Sequence, residues 1–404
     1  MTSRQFYYIF SIFIISLKIQ KMPCILFNYL NKDSYFLFII YLLIDIIGVI
    51  FAFILSKKIN NSKLNKLNNT NIVDILFKIS LLFTAVYFLF QSVVFYEAIQ
   101  DLFSHILFEN LSWKLFSLFL LSCVFYIACF DYDNIGRVAE IFFPIIMSSL
   151  VLLFIMGSLE TDFTSILPFQ TIKNADFISA FKDFNIWFGD FFLIIFLGSV
   201  SKDIKLKPTI ISYVCSMVFV ILFILSFQGR YQNLSALQPS VISVISEQSL
   251  LGIDIGRIDW FFILMAETGT VICSGLCLCI SKNALSVVFK KVKKNHFLIG
   301  LIAIVYYLDI GYLVDLKVKE NFFFNFSAHF SIYLKIIVML LISIKIIHSN
   351  YNNKIFNTSK MYKNYQQIKK EKPKNFMKPK SSNTIVNNTK TNETKIQKAK
   401  KVRL

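Results

Sequence analysis

Ten apolar runs, each about as long as a membrane-spanning α-helix, constrain this chain more than any other feature. Crossing ~30 Å of hydrocarbon takes roughly 20 helical residues, and lipid cannot satisfy an exposed backbone, so helices are the expected spans. The runs also lack the alternation of barrel strands. They are Phe6–Leu30, Tyr35–Ser56, Ile75–Phe95, Trp113–Phe130, Val138–Met156, Phe184–Val200, Thr209–Phe227, Trp260–Ile280, Phe297–Leu313 and Phe330–Ile347. The sequence therefore predicts an all-α integral membrane protein with ten transmembrane helices.

The distribution of charge favours membrane lipid over nucleic acid as the basic chain's partner. Hydrophobic residues make up 56% of the 404 residues and charged residues 16%, which is outside the range of soluble domains. The formal net charge is +18, but residues 349–404 alone hold fifteen Lys and Arg against two acidic residues. We predict a transmembrane domain over residues 1–348 and a basic, disordered cytoplasmic tail over residues 349–404. The tail is expected to adhere to anionic lipids.

Lysine-rich connections set the predicted orientation, because Lys and Arg in short loops stay on the cytoplasmic side. The second and third spans are joined by KKINNSKLNKLNN, the sixth and seventh by SKDIKLKP, and the eighth and ninth by SKNALSVVFKKVKKN. Acidic connections such as YEAIQDLFSHILFENLS alternate with them. An even number of spans with both termini cytoplasmic satisfies this pattern, although the short loop DYDNIGR is acidic where positive charge is expected.

The sequence carries no pattern typical of catalysis or of metal binding. Its seven Cys are scattered through apolar runs, and its four His lie near the predicted ends of spans. The segment CSGLCLC lacks a second pair of ligands and a nearby His, so we interpret its cysteines as packing residues. A phosphate-binding glycine loop is also missing. We predict a protein that is not an enzyme and that needs no cofactor.

Polar residues inside the apolar runs mark the candidate site, since a charge at the bilayer centre costs roughly 2.5–3.5 kcal/mol on insertion scales. They are Lys18, Gln20 and Lys21 in the first span, Asp45 in the second, Asp190 in the sixth, and Glu267, Thr268 and Thr270 in the eighth. Such groups normally face a cavity or one another. Structural explanations stay open: the lysines reach an interface if the first span is shifted, Asp45 pairs with a lysine to hold two helices, or Glu267 lies near an interface.

Two interrupted spans in corresponding positions predict the type of fold. In transporters built from inverted repeats, the substrate site lies at mid-membrane where two helices break. Ten spans divide into five and five, which makes the first and sixth equivalent. Pro23 interrupts the first span within KIQKMP, and Gly189 permits an unusual backbone beside Asp190 in the sixth. We therefore predict a 5+5 inverted-repeat, transporter-like fold with broken first and sixth helices around an enclosed cavity. In it Gly189 and Asp190 shape the site, and Lys18 or Lys21 neutralises Asp190, Asp45 or an anionic ligand group.

Three segments together carry a resemblance to a known family. They are DNIGRVAEIFFPIIMSSLVLLFIMGSLETDFTSILPF, WFGDFFLIIFLGSV and IGRIDWFFILMA. They resemble the fifth span, the sixth span and the entry to the eighth span of spore germination receptor B subunits, the endospore germination permease family. Asp190 stands in the place of that family's sixth-span acid. The other matching residues are Arg137, Glu140, Phe143, Pro144, Leu167, Pro168, Arg257 and Asp259.

The resemblance implies the amino acid–polyamine–organocation transporter fold and a membrane subunit of a nutrient germinant receptor. Such a subunit is expected to bind a small polar nutrient, an amino acid or a sugar, in the spore inner membrane. It is expected to act with a receptor A subunit and a lipoprotein C subunit. The expected ligand-binding residues are Lys18, Gln20, Lys21, Asp45, Gly189, Asp190 and Glu267. The residues expected to be structural are Pro23, Arg137, Glu140, Pro144, Arg257 and Asp259.

Two other functions stay open. One is an amino-acid or cation symporter of the same superfamily, which moves its substrate independently of germination. The other is a degenerate scaffold that keeps the fold without binding a ligand. The first span supports this alternative, because the family usually has a small residue, often Gly, ahead of the proline, whereas this chain has SLKIQKMP.

Overall fold

A computed structural model describes residues 1–19, 26, 30, 34–61, 72–106, 113–158, 161, 180, 188–231, 259–290, 292–306, 331 and 333–348. The predicted tail, residues 349–404, and the KIQKMP interruption beyond Ile19 lie outside this described part. Within it the chain forms helices and no strand. The helices are α1 (Ser3–Ile19), α2 (Ser34–Asn61), α3 (Ile72–Ile106), α4 (Trp113–Cys129), α5 (Tyr132–Ser158), α6 (Phe191–Val200), α7 (Leu206–Tyr231), α8 (Asp259–Val288), α9 (Lys294–Tyr306) and α10 (residues 333–348).

The prediction of an all-α protein is confirmed for the described residues. Among the described residues, five helices, α2, α3, α5, α7 and α8, are long and apolar enough to cross a membrane. Shorter apolar helices lie within α4, α6 and α9. Large apolar side chains, among them Ile47, Ile141 and Ile347, are exposed on the outer surface. An exposed apolar surface of this extent is typical of a protein that contacts membrane lipid, because exposing it to water is unfavourable.

Several helices extend beyond the predicted spans. α3 continues to Ile106 through residues predicted as an external connection. The prediction that DYDNIGR forms a loop is wrong, since all but its first residue belong to α5, which begins at Tyr132. Asp133 lies in the first turn of α5, where the helix dipole favours a negative side chain. α8 likewise continues to Val288. Hydropathy marks the part of a helix that contacts lipid, whereas capping and tertiary contacts decide where the helix ends.

α1 lies in the interior of the protein. It begins with a reciprocal capping box, in which the Gln5 backbone N–H donates to Thr2 Oγ1 at 3.3 Å and the Thr2 N–H donates to Gln5 Oε1 at 3.0 Å. All side chains from Ile12 to Ile19 are buried. The helix packs against α5, α7 and α8. This position carries the last turn of α1 into the centre of the molecule.

Glycines allow α6 to approach α2 closely. A Cβ at Gly48 would overlap the Phe191 ring, and a Cβ at Gly198 would lie 2.9 Å from Ser56 Oγ. Small residues at helix contacts let two backbones approach in a membrane, where packing replaces the hydrophobic effect as the main source of association. The close contact holds the first residue of α6 against α2. It thereby sets the position of the peptide that precedes α6.

Candidate functional site

α6 begins abruptly at the interruption predicted for the sixth span. Gly189 has a φ of +84°, a conformation that glycine adopts without the steric cost of a side chain. Asp190 is the residue before the first helical position. α6 has ten residues, which corresponds to ~15 Å of helix, or about half the hydrocarbon thickness of a bilayer. The described part of this span is therefore a half-helix with polar backbone at its start.

A buried ion pair joins the end of α1 to the start of α6. Lys18 Nζ donates to Asp190 Oδ2, and the two side chains are 0% and 2% exposed. Lys18 lies in the last turn of α1, where the helix dipole favours a cation, whereas the beginning of α6 favours an anion. The signs of the two charges therefore suit both helix ends. Lys18 Nζ also lies 5.5 Å from the centroid of the Phe188 ring, within the range of a cation–π contact.

Asp45 of α2 contacts the same peptide. Its Oδ2 accepts hydrogen bonds from the Gly189 backbone N–H at 3.1 Å and from the Tyr213 hydroxyl at 2.8 Å. Both Asp45 and Tyr213 are buried. The side chain of Asp190 makes no capping hydrogen bond, so Asp45 supplies from another helix an acceptor at the start of α6. The break is thus tied to α2 directly and to α7 through Tyr213.

Lys335 of α10 is a functional candidate that the sequence analysis missed. Its Nζ donates to the carbonyl oxygen of Phe188 and lies 5.4 Å from the centroid of the Tyr87 ring. The residue is 3% exposed. A Cβ at Gly189 would lie 2.6 Å from Lys335 Nζ, so glycine leaves the room that the lysine occupies. The available signal was a charge inside the apolar run Phe330–Ile347, the same criterion that identified Lys18.

Lys18, Asp45, Asp190 and Lys335 form what we call the central cluster. It contains two cations and two anions, supplied by α1, α2, the start of α6 and α10, and their formal charges cancel. Lys335 reaches the same break through its hydrogen bond to the Phe188 carbonyl, two residues before Asp190. Burial of charge is tolerated when each charge has an opposite partner and satisfied hydrogen bonds. The arrangement can therefore keep ionised groups in the interior of the protein.

Aromatic rings cover one side of the central cluster. The Phe188 ring stacks on Tyr41 with centroids 3.7 Å apart and contacts Phe38 edge-on at 5.3 Å. Phe192, in the first turn of α6, contacts Tyr87 edge-on at 5.1 Å. These side chains are buried. They exclude water from this side of the charges, which strengthens electrostatic interactions within the cluster.

The other intramembrane polar residues named from the sequence, together with Pro23, Arg257 and Asp259, lie in α8 or outside the described residues. Gln20, Lys21 and Pro23 lie outside the described residues, as does Arg257. Glu267 and Thr270 are buried in α8. The Thr268 hydroxyl donates to the backbone carbonyl of Met265 at 2.6 Å, a bond within its own helix. Asp259 is the first residue of α8.

Glu140, one of the residues expected to be structural, lies far from the central cluster. Glu140 accepts hydrogen bonds from Arg4 Nη2 and, at 3.1 Å, from Gln5 Nε2, which ties α5 to the first turn of α1. Arg4 and Lys18 are separated along α1 by about 20 Å at 1.5 Å per residue. Arg137 is exposed, and Pro144 is exposed within α5. The geometry gives Glu140 a helix-joining contact.

Two further buried lysines join helices elsewhere. Lys282 Nζ donates to the backbone carbonyl of Ala128 at 2.6 Å and so caps the end of α4. Lys345 Nζ donates to Asp74 Oδ1 and joins α10 to α3. The sequence predicts that the eighth span ends at Ile280 and so places Lys282 in the connection, whereas α8 continues to Val288. Within the described ranges, no group of three or more His, Cys, Asp or Glu side chains comes together as a metal site would require.

Comparisons with known proteins give a family and a fold. The family model described as spore germination protein matches residues 1–312. Among solved structures, MhsT in complex with L-phenylalanine is similar with a TM-score of 0.60 and 14% identity, over 83% of this chain and 88% of that chain. A likeness at this level of identity supports the fold alone. No curated protein gives a significant match.

Proposed function

This chain belongs to the spore germination protein family, as the resemblance predicted, and we propose that it is the membrane subunit of a nutrient germinant receptor. Family and fold both indicate a membrane protein of the transporter or receptor type. In this proposal it binds a small polar nutrient at mid-membrane and triggers germination with an A subunit and a lipoprotein C subunit. The proposed subunit has ten transmembrane helices in a 5+5 arrangement, with broken first and sixth helices. Both termini lie in the cytoplasm, and the receptor lies in the spore inner membrane.

The observation that carries this proposal is the buried Lys18–Asp190 pair at the start of a half-helix. Non-helical backbone and charge are tolerated at membrane depth where protein encloses a cavity. Transporters of this type place substrates beside half-helix ends and unwound carbonyls. A ligand carboxylate would be bound by Lys18, and a ligand amine or hydroxyl by Asp45 or Asp190.

The charge balance of the central cluster favours a ligand without net charge. Because its four formal charges cancel, a zwitterionic amino acid or a sugar adds no uncompensated charge to the interior, whereas a cation or an anion would. The bound L-phenylalanine of MhsT is a ligand of the zwitterionic kind. Gln20, Lys21 and Glu267 stay proposed ligand-binding residues, and Gly189 shapes the site. Pro23, Arg137, Pro144, Arg257 and Asp259 stay proposed structural residues.

The test replaces the acid of the ion pair and compares it with an exposed acid. Asp190→Asn is expected to reduce the nutrient sensitivity of germination at least about tenfold, since a hydrogen bond to a charged group contributes about 1.5–3 kcal/mol. Asp203→Asn is the matched control, because Asp203 is exposed and its φ of +57° also suits Asn. The amount of each variant in the membrane and its folded fraction are measured alongside, and sensitivity is compared per folded receptor, because loss of one partner of a buried ion pair also lowers stability. Normal sensitivity of Asp190→Asn would remove Asp190 from the site.

A symporter is the second candidate, and the transporter fold favours it. Reconstituted vesicles containing this chain alone separate the two functions. Concentrative uptake of a labelled amino acid would support the symporter, whereas nutrient binding without uptake would support the receptor subunit.

A further inference from the structure

Lys335 brings an ammonium group to the backbone carbonyl that precedes the break. Its Nζ donates to the Phe188 oxygen, the last carbonyl before Gly189 turns the chain. In transporters with broken helices, unwound carbonyls of this kind coordinate a cation. The side chain comes from α10, so the contact ties the tenth helix to the peptide that precedes α6.

We propose that the Lys335 ammonium is a built-in cation, occupying the place that a monovalent ion would take against the Phe188 carbonyl, where its charge balances the carboxylates of the central cluster. Lys335 is then a positioning residue: it holds the start of α6 and makes the central cluster independent of bound metal ions. The inference rests on the geometry of the cluster, and it extends the proposed function by naming what replaces an ion at the break.

Space and charge at the break support this assignment. The Lys335 stem lies over Gly189, since a Cβ there would be 3.0 Å from both Cδ and Cε and 2.6 Å from Nζ. The Tyr87 ring is also placed to stabilise a cation, with its centroid 5.4 Å from Nζ. Without the ammonium, the cluster would hold one cation and two carboxylates. Its interior would then carry an unpaired negative charge, which a small cation could neutralise.

Two substitutions at this position separate a built-in cation from a packing lysine. Lys335→Ala removes the charge and leaves a space beside the Phe188 carbonyl. Lys335→Met removes the same charge but fills the space with an unbranched apolar side chain. A small cation can therefore replace the missing positive charge in Lys335→Ala, whereas the methionine side chain blocks its place in Lys335→Met. If lysine served for packing alone, neither variant would respond to the identity of a salt.

The experiment measures thermal unfolding of the purified full-length chain in choline chloride, sodium chloride and methylammonium chloride at equal ionic strength. We expect the wild type to unfold at the same temperature in all three. Lys335→Ala is expected to unfold at a lower temperature in choline and to recover by at least about 3 °C, in a saturable manner, with Na⁺ or methylammonium. Lys335→Met is expected to stay at the lower temperature in every salt.

Three results would overturn the proposal. They are specific stabilisation of the wild type by Na⁺, equal behaviour of the two variants, and failure to purify Lys335→Ala in any of the three salts while Lys335→Met is stable. Purification of Lys335→Ala in Na⁺ or methylammonium but not in choline would support it. The outcome is separable from the receptor function, because nutrient sensitivity of wild-type spores does not enter the unfolding measurement.

Discussion

Removing one partner of the Lys18–Asp190 pair is expected to destabilise the protein far more than removing both. The two charges lie within 4 Å of each other and are almost fully buried. At this separation, unit charges attract by about 4 kcal/mol at an effective dielectric constant of 20. Loss of one partner from a buried pair costs about 3–5 kcal/mol, because the other charge is left without compensation. A loss of about 4 kcal/mol lowers the ratio of folded to unfolded protein roughly a thousandfold.

The assay compares Asp190→Asn, Lys18→Met and the double variant by denaturant unfolding in detergent, monitored by helical circular dichroism. Each single variant leaves the central cluster with one excess charge, whereas the double variant leaves it neutral. We therefore expect the double variant to be more stable than either single variant. Arg4→Met is the control, because Arg4 is 67% exposed in its pair with Glu140 and should contribute about 1 kcal/mol or less. Single losses that simply add in the double variant would refute the reasoning.

Three further changes test separate features. Gly189→Ala places a side chain at a φ of +84° and is expected to cost about 1–3 kcal/mol of stability, measured by thermal unfolding. The control is Gly300→Ala, where a Cβ meets nothing within 4 Å, and it should be neutral or stabilise the protein by up to about 1 kcal/mol. Equal effects of the two substitutions would contradict the strain argument. Tyr213→Phe removes a hydroxyl that donates to a carboxylate of α2 and should cost about 1.5–3 kcal/mol in denaturant, so an unchanged midpoint would argue against that bond. Lys282→Met deprives the end of α4 of a donor and should cost about 1–3 kcal/mol; wild-type stability of this variant would show that the cap contributes nothing.

The charged residues at the break could be predicted because a charged side chain within an apolar span normally faces the protein interior and pairs with another polar group. Lys18 and Asp190 were named from their positions in the first and sixth spans, and the structure joins them in one ion pair. Gly189 was named from its backbone freedom and has a positive φ. Charge within an apolar run and the backbone freedom of glycine are local properties of the sequence, so they can be recognised without the tertiary structure. Whether these residues bind a ligand stays a prediction.

The partners contributed by other helices could not be predicted in the same way. Lys335 stood inside a predicted span, but its contact with Phe188 depends on which face of α10 packs inward. Lys282 was assigned to a connection because hydropathy falls after Ile280, whereas α8 continues past it as a helix. Its contact with the end of α4 then buries it. A pattern along one helix does not specify the register between two helices.

The shortness of α6 has a consequence for how the transmembrane voltage acts on a ligand. A ten-residue helix spans about half of the hydrocarbon thickness, so a ligand bound at its start, as we propose, would have crossed about half of the potential drop. Moving one elementary charge across the full potential is worth about 2.3 kcal/mol per 100 mV. The binding free energy of a singly charged ligand would therefore change by roughly 1 kcal/mol for each 100 mV of membrane potential. A zwitterion carries no net charge through the field, and its occupancy would be the same in polarised and depolarised membranes.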